Sequence, residues 1–324
     1  MRVSRIALGT ALIGLVPPED ESVKLIQGAF DEGINVFDCA NTYGNRASFD
    51  RPGMPSHEQR KAAEEILATA LKGHRDDIVL CTKVSEPVGP GVNDGALRSG
   101  GLSRYHVMRE VERSLRRLGT DHIDIYHAHH PDPATGIEET LETFDDLVRQ
   151  GKVRYVALST YNAWQMTHAV MTADARHLAR PVLNQQHYNM LSRGVEAEVV
   201  PAALELGIQL TCFSPLAGGA LAGSDAMSKE YTGVKRWGMD RGYTDAQKQA
   251  VEQLETVAKA WGYAPPHLAL HWLLSRPTVS MAIIGPESLD QLKMNLGALD
   301  VTLDANQTAE LDEIGKKPLP SLWD

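Results

Sequence analysis

The chain has 324 residues, 43% apolar and 23% charged, enough for a large buried core in one large domain or two ordinary ones. Its net charge of −10 disfavours non-specific binding to nucleic acid or to an anionic membrane surface. No apolar run reaches transmembrane length, and the opening MRVSRIALGT has no apolar segment of signal-peptide length. Three cysteines (Cys39, Cys81, Cys212) with no CxxC predict free thiols in a reducing compartment, so a cytoplasmic protein is expected.

A short apolar stretch at 5–10 predicts the first strand, followed by an amphipathic helix pattern at 20–32. The alternation then repeats to the end of the chain. Strands are expected at 34–40, 77–84, 122–129, 153–160, 181–188, 208–215 and 279–286. Helices are expected at 57–72, 103–118, 136–150, 162–176, 194–206, 245–261 and 288–299. Most strands begin as near-continuous apolar runs, as parallel strands buried on both faces do. In the third helix Val107, Val111, Leu115 and Leu118 form one stripe. Gly33, Gly73, Gly119, Gly151 and Gly207 each follow a helix pattern just before a strand, where a left-handed residue closes the helix.

Eight strand–helix units in one chain predict a single (β/α)8 barrel domain over residues 1–324, an architecture that typically needs about 250 residues. The surplus falls in loops 44–56, 85–102 and 216–244, all after strands, on the C-terminal face. A two-domain doubly wound fold is disfavoured, because no GxGxxG follows the first strand and no linker divides the chain.

In such a barrel, polar residues at the C-terminal ends of strands are the ones to suspect of chemistry. Here they are Asp38 after strand 2, Lys83 at the end of strand 3 and the histidines of HIDIYHAHHPDP (122–133), with Tyr43 in the loop after strand 2. Each has a bland alternative: Asp38 as a turn cap, Lys83 as a rim lysine, Tyr43 as a loop aromatic, the histidines as core. Strand alternation puts His127 and His129 on one side and Tyr126, Ala128 and His130 on the other. An HxH pair at a strand end binds zinc in some barrels, but later strand ends carry Ser159, Gln186 and Phe213 instead of further ligands. No metal is therefore expected.

At these residues the chain resembles the aldo-keto reductases. FDCANTYG (37–44) is similar to that family's segment in which an Asp precedes the catalytic Tyr by five residues, and LCTKV (80–84) to the strand carrying its Lys. DHIDIYHAHHPDP (121–133) resembles the segment carrying its His. GKVRYVALSTYN (151–162) and CFSPLAGG (212–219) resemble its nicotinamide-binding segments. AIIGPESLDQLKMNLGAL (282–299) resembles the segment that holds the adenosine phosphate. The likeness covers nearly the whole chain, in the right order.

The resemblance implies hydride transfer between a nicotinamide cofactor and a small carbonyl compound: an aldehyde, a ketone or a keto-sugar. It makes Tyr43 the proton donor, Lys83 the cation that lowers its pKa, Asp38 the partner of Lys83 and His129 the carbonyl-orienting imidazole. His127 would then be a hydrogen-bonded core residue. Ser159, Thr160 (where the family usually has Asn) and Gln186 would bind the carboxamide, and Phe213 would stack on the ring. Ser214, Pro215, Leu216 and Gly218 would meet the pyrophosphate, and Gly285, Glu287, Ser288, Gln291 and Asn295 the adenosine end.

NADPH is the family default. Glu287 opens the way to NADH, because a carboxylate repels a 2′-phosphate but accepts from a ribose hydroxyl. Met294 replaces a commonly acidic residue, while Lys235 and Arg236 stand in for a missing loop lysine. The cysteines are expected to be buried, Trp237 to be a lid or an anchor, and loop 44–60 to form a wall of the substrate pocket. Some family members are cofactor-binding accessory subunits of membrane channels, and this is the alternative function.

Overall fold

Eight parallel strands close into a barrel in sequence order. They are β1 (Ile6–Gly9), β2 (Val36–Asp38), β3 (Val79–Val84), β4 (Ile123–Ala128), β5 (Val153–Ser159), β6 (Leu183–His187), β7 (Gln209–Phe213) and β8 (Val279–Ile284). Each is shorter than the apolar pattern that predicts it. The computed structural model describes residues 2–44, 47, 50, 53–86, 100–227 and 243–316. Lys235, Arg236, Trp237 and much of the three long loops lie outside the described residues.

Helices ring the barrel: α1 (Glu19–Asp31), α2 (Ala63–Ala70), α3 (Arg104–Leu118), α4 (Ile137–Arg149), α5 (Ala163–Arg176) and α6 (Val199–Leu206). After β7 come a short α7 (Ser224–Met227), α8 (Asp245–Trp261) and α9 (Pro265–Leu274), and after β8 come α10 (Leu289–Leu296) and α11 (Ala305–Glu313). The five glycines before strands all take positive φ, from 63° to 92°. α9 was not expected. It is buried nearly all round (Leu268, Ala269, Leu270, Trp272, Leu273), so it lacks the 3.6-residue periodicity that marks an amphipathic helix. No helix among the described residues is long and apolar enough to cross a membrane.

Alternation along the strands sorts the core into two parts. Outward residues such as Phe37, Tyr126 and Leu210 pack with Leu25, Ile66, Val111 and Phe144 of the helices. Inward residues make a second cluster that includes Val36, Val79, Cys81, Ile125, Leu183 and Met281. The next inward positions toward the C-terminal face are polar on several strands: Asp38 after Val36, Lys83 after Cys81, His127 after Ile125 and Gln185 after Leu183. The register sets Lys83 beside His127 and Ser159 beside Gln185. One layer of the barrel is thus hydrocarbon and the next is chemistry.

Candidate active site

Asp38 and Lys83 meet in the upper layer. Lys83 Nζ lies 2.5 Å from Asp38 Oδ2 and donates to Cys39 O at 2.8 Å. Gln185 Nε2 donates to Asp38 Oδ1 at 2.8 Å, so both carboxylate oxygens are paired. The Lys83 side chain is fully buried. Burial works against its charge, but Asp38 and Tyr43 outweigh burial and hold the ammonium above its ordinary range.

Tyr43 reaches this pair from the loop after β2, where a turn closes as Tyr43 N donates to Ala40 O at 3.1 Å. The returning chain then clamps it. Ala63 N donates to Tyr43 O at 2.9 Å, and Arg60 Nε donates to Gly44 O at 2.7 Å. Gly44 sits at φ 88°, and a Cβ there would meet Ala63 N at 2.6 Å and Lys61 O at 2.7 Å. Only glycine allows this crossing directly after the tyrosine. The expected helix at 57–72 accordingly starts late, because residues before 63 are spent on the clamp.

Lys83 Nζ stands 5.0 Å from the Tyr43 ring centre, and Tyr43 Oη lies 3.5 Å from His129 Nε2, with the two rings edge to face. Tyr43 corrects one expectation. Lys83 does pull its pKa down, but burial outweighs that pull and, with Asp38, Glu86 and Cys39 adding to it, pushes the phenol up to about 12. His129 moves the other way. Burial first, and Lys83 next, hold its pKa well below the ordinary range, so it is neutral.

His127 faces the same interior one layer deeper, buried, with its pKa lowered to about 4 by burial and then by Lys83. It keeps backbone hydrogen bonds with Thr82 and Ile125, as expected of a hydrogen-bonded core residue, while its Nδ1 has no hydrogen-bond partner among the described residues. His130 stacks on His129 with ring centres 4.4 Å apart. The three cysteines are buried, and burial pushes the Cys39 thiol up to about 12.

The residues expected at the cofactor divide. Ser159 is buried at the end of β5, on the inward side. Gln186 does not join it. Its Nε2 donates to Tyr161 O at 2.7 Å on the outer side of β6, and the neighbouring Gln185 faces inward in its place. Residue parity, Leu183 and Gln185 inward, is the signal that would have found it. Thr160 sits at φ 59°, an uncomfortable conformation for a β-branched residue, and its hydroxyl faces the carbonyls of Ser159 (2.7 Å) and His129 (3.3 Å).

Phe213 ends β7 half-buried, 5.3 Å from the His187 ring. After it the backbone turns through left-handed conformations at Ser214 (51°), Ala217 (52°), Gly218 (67°) and Gly219 (100°), with Pro215 buried and Leu216 half-buried between them. Beyond exposed Gly285 and half-buried Glu287, Ser288 caps α10 by accepting from Gln291 N, while Gln291 Oε1 accepts from Glu287 N at 2.9 Å. Asn295 is buried one turn further on, and Met294 is exposed. Glu86, which nothing in the sequence singled out, accepts from Thr42 Oγ1 at 2.5 Å and lies against His129 and His130.

The model of the aldo/keto reductase family matches residues 5–316, which include every residue of this site. The chain belongs to the aldo-keto reductases. The uncharacterized oxidoreductase YrpG of Bacillus subtilis (strain 168) is 35% identical over 331 positions, covering 100% of this chain and 97% of its own length. A probable voltage-gated potassium channel subunit beta of Arabidopsis thaliana is 33% identical across 93% of this chain and 89% of its own. The aldo-keto reductase YhdN of Bacillus subtilis is 32% identical across 97% of this chain and 90% of its own. Membership makes this aldo-keto reductase an oxidoreductase of a family that acts on small carbonyl compounds with NAD(P)H.

Proposed function

We propose that this aldo-keto reductase, one domain over residues 1–324, reduces an aldehyde, a ketone or a keto-sugar. In this reading Tyr43 is the general acid, with Asp38, Lys83 and His129 assisting. One observation carries it: Tyr43 Oη lies 3.5 Å from neutral His129 Nε2 while a fully buried, paired ammonium stands 5.0 Å from the tyrosine ring. The nicotinamide cofactor, when bound, supplies the hydride. As charge develops on the carbonyl oxygen, Tyr43 delivers its proton and His129 Nε2–H donates to the same oxygen. The raised Tyr43 pKa keeps the phenol loaded at neutral pH, and an alkoxide is the stronger base, so transfer still runs downhill. Lys83, held charged by Asp38, stabilises the phenolate left behind.

The cofactor residues fit such a group. Ser159 and Gln185 share one inward register for a carboxamide, and Phe213, beside His187 at the end of the neighbouring β7, offers a ring for stacking. The left-handed run after β7 and the Ser288-capped start of α10 suit phosphates. NADPH is the default cofactor, and half-buried Glu287 favours NADH as a second one. The buried free thiols suit the cytoplasm.

A panel of aldehydes, ketones and keto-sugars tests the reading, with oxidation of NADPH and of NADH followed by absorbance. At least one carbonyl should be turned over. The relatives named as potassium channel β subunits favour a second reading, a cofactor-binding accessory protein. Tight cofactor binding with no oxidation by any carbonyl would decide for it.

A further inference from the structure

We propose that Glu86, His129 and His130 form a binding site for a divalent transition-metal ion of the Zn2+ class at the barrel mouth. His129 Nδ1 lies 3.7 Å from Glu86 Oε2, and His130 Nε2 lies 3.6 Å from Glu86 Oε1. One ligand atom from each of the three residues falls within 4.8 Å of the others. The carboxylate separations are too long for hydrogen bonds but close to the ~3.3 Å edge of a tetrahedron around an ion with bonds of about 2.0–2.1 Å. Such separations suit ligands that share one ion.

The tautomers strengthen the argument. The Thr160 hydroxyl faces two backbone carbonyls, which only accept, so its proton goes to one of them. It must then accept from His130 Nδ1, 3.1 Å away. In the unprotonated ring Nε2 is then the lone pair, and it points at a carboxylate. His129 repeats the pattern, on the reading that its Nε2–H donates to the carbonyl oxygen. Its Nδ1 is then a lone pair as well, also facing Glu86. That nitrogen is buried without a hydrogen-bond partner among the described residues, on a side chain only 9% exposed. Glu86, His129 and His130 thus turn donor atoms towards one another, the set that a Zn2+-class cation takes.

The surroundings resemble an outer coordination shell. Thr42 Oγ1 orients the Glu86 carboxylate and Thr160 fixes the His130 ring, as hydrogen-bond partners behind metal ligands do. Two imidazoles and a carboxylate are the ligand types that Zn2+ accepts, leaving a fourth position open. The His129 and His130 rings stack within 11° of parallel, so a shared ion requires the half-exposed His130 to tilt while His129 stays in place. This site is not the HxH pair visible in the sequence, since His127 lies deeper and takes no part. An ion held here pins the His129 ring through Nδ1 and narrows the approach to Tyr43, so it inhibits. That consequence and the His129 tautomer rest on the proposed role of His129, whereas the ligand geometry does not.

Titrating the full-length protein with Zn2+ alone by calorimetry, and with Co2+ by its visible absorption, tests the site. One ion per chain is expected, with tetrahedral Co2+ bands. Glu86→Gln and half-exposed His130→Gln should each weaken binding by about tenfold or more, in folded protein. Carbonyl turnover should fall as Zn2+ fills the site and return with a chelator, and His130→Gln should keep its turnover at Zn2+ levels that silence the parent. Absence of binding, or binding indifferent to both substitutions, overturns the site. Binding with the expected dependence but unchanged turnover upholds the site and removes His129 from the reaction.

Discussion

Two neighbouring layers inside one barrel have opposite chemistry. The lower layer, with Val36, Val79, Cys81, Ile125 and Leu183, is hydrocarbon and a thiol. The next inward step on the same strands brings Asp38, Lys83, His127 and Gln185, all buried. Burial stabilises the first set and penalises the second, whose charged members are held by internal pairing: Lys83 with Asp38, and Asp38 with Gln185. Position along the strand therefore decides whether the same loss of water makes core or makes perturbed titration. The lower layer positions the upper one, and the upper one spends stability on chemistry.

The largest effect expected is on turnover. Tyr43→Phe should lower carbonyl reduction by ~10³-fold, since one general acid contributes roughly 10²–10⁴, while cofactor affinity measured by fluorescence stays the same. Retained turnover would remove Tyr43 from the chemistry. Lys83→Met should lower stability by about 3–5 kcal/mol in urea unfolding as well as turnover, because it leaves a buried carboxylate without its cation. Adding Asp38→Asn should restore much of the stability and none of the turnover. A double variant no more stable than the single would mean that pairing is not what keeps this layer folded. Ile125→Ala, one layer down, should cost about 2–4 kcal/mol in the same assay and leave the Michaelis constant nearly unchanged.

The smallest effect is a slope. His127 has a folded-state pKa of about 4, below the ordinary 6.5, so the unfolded chain binds more protons between those values. Stability is then complete above the upper value and is lost as pH falls toward the lower one. The depression amounts to roughly 3 kcal/mol. His129 contributes in the same direction. His127→Gln should flatten the dependence of unfolding free energy on pH between about 4.5 and 7. An unchanged slope would place the acid sensitivity elsewhere.

Much of the site was legible because its signals are local. Asp38 and Tyr43 sit five residues apart in one segment, Lys83 ends a strand, and HAHH ends another. Gln185 was missed although strand parity with Leu183 marks it, because two adjacent glutamines offer the same side chain and only register separates them. The net upward shift of Tyr43 was not legible either. Opposing burial and charge decide its sign, and burial is a property of the closed barrel. Helix α9 escaped for a related reason: it is buried nearly all round, so no polar stripe marks it.

By itself, then, the sequence determined the eight-fold alternation, the order of the site segments and the family, because hydrophobic periodicity and motif spacing are written in neighbouring residues. Only the tertiary structure decided which of two glutamines faces inward, how far burial moves Tyr43 and His129, and that Glu86 meets His129 and His130. Those outcomes come from strand register, exclusion of water and contacts between distant segments, and they exist only once the barrel closes.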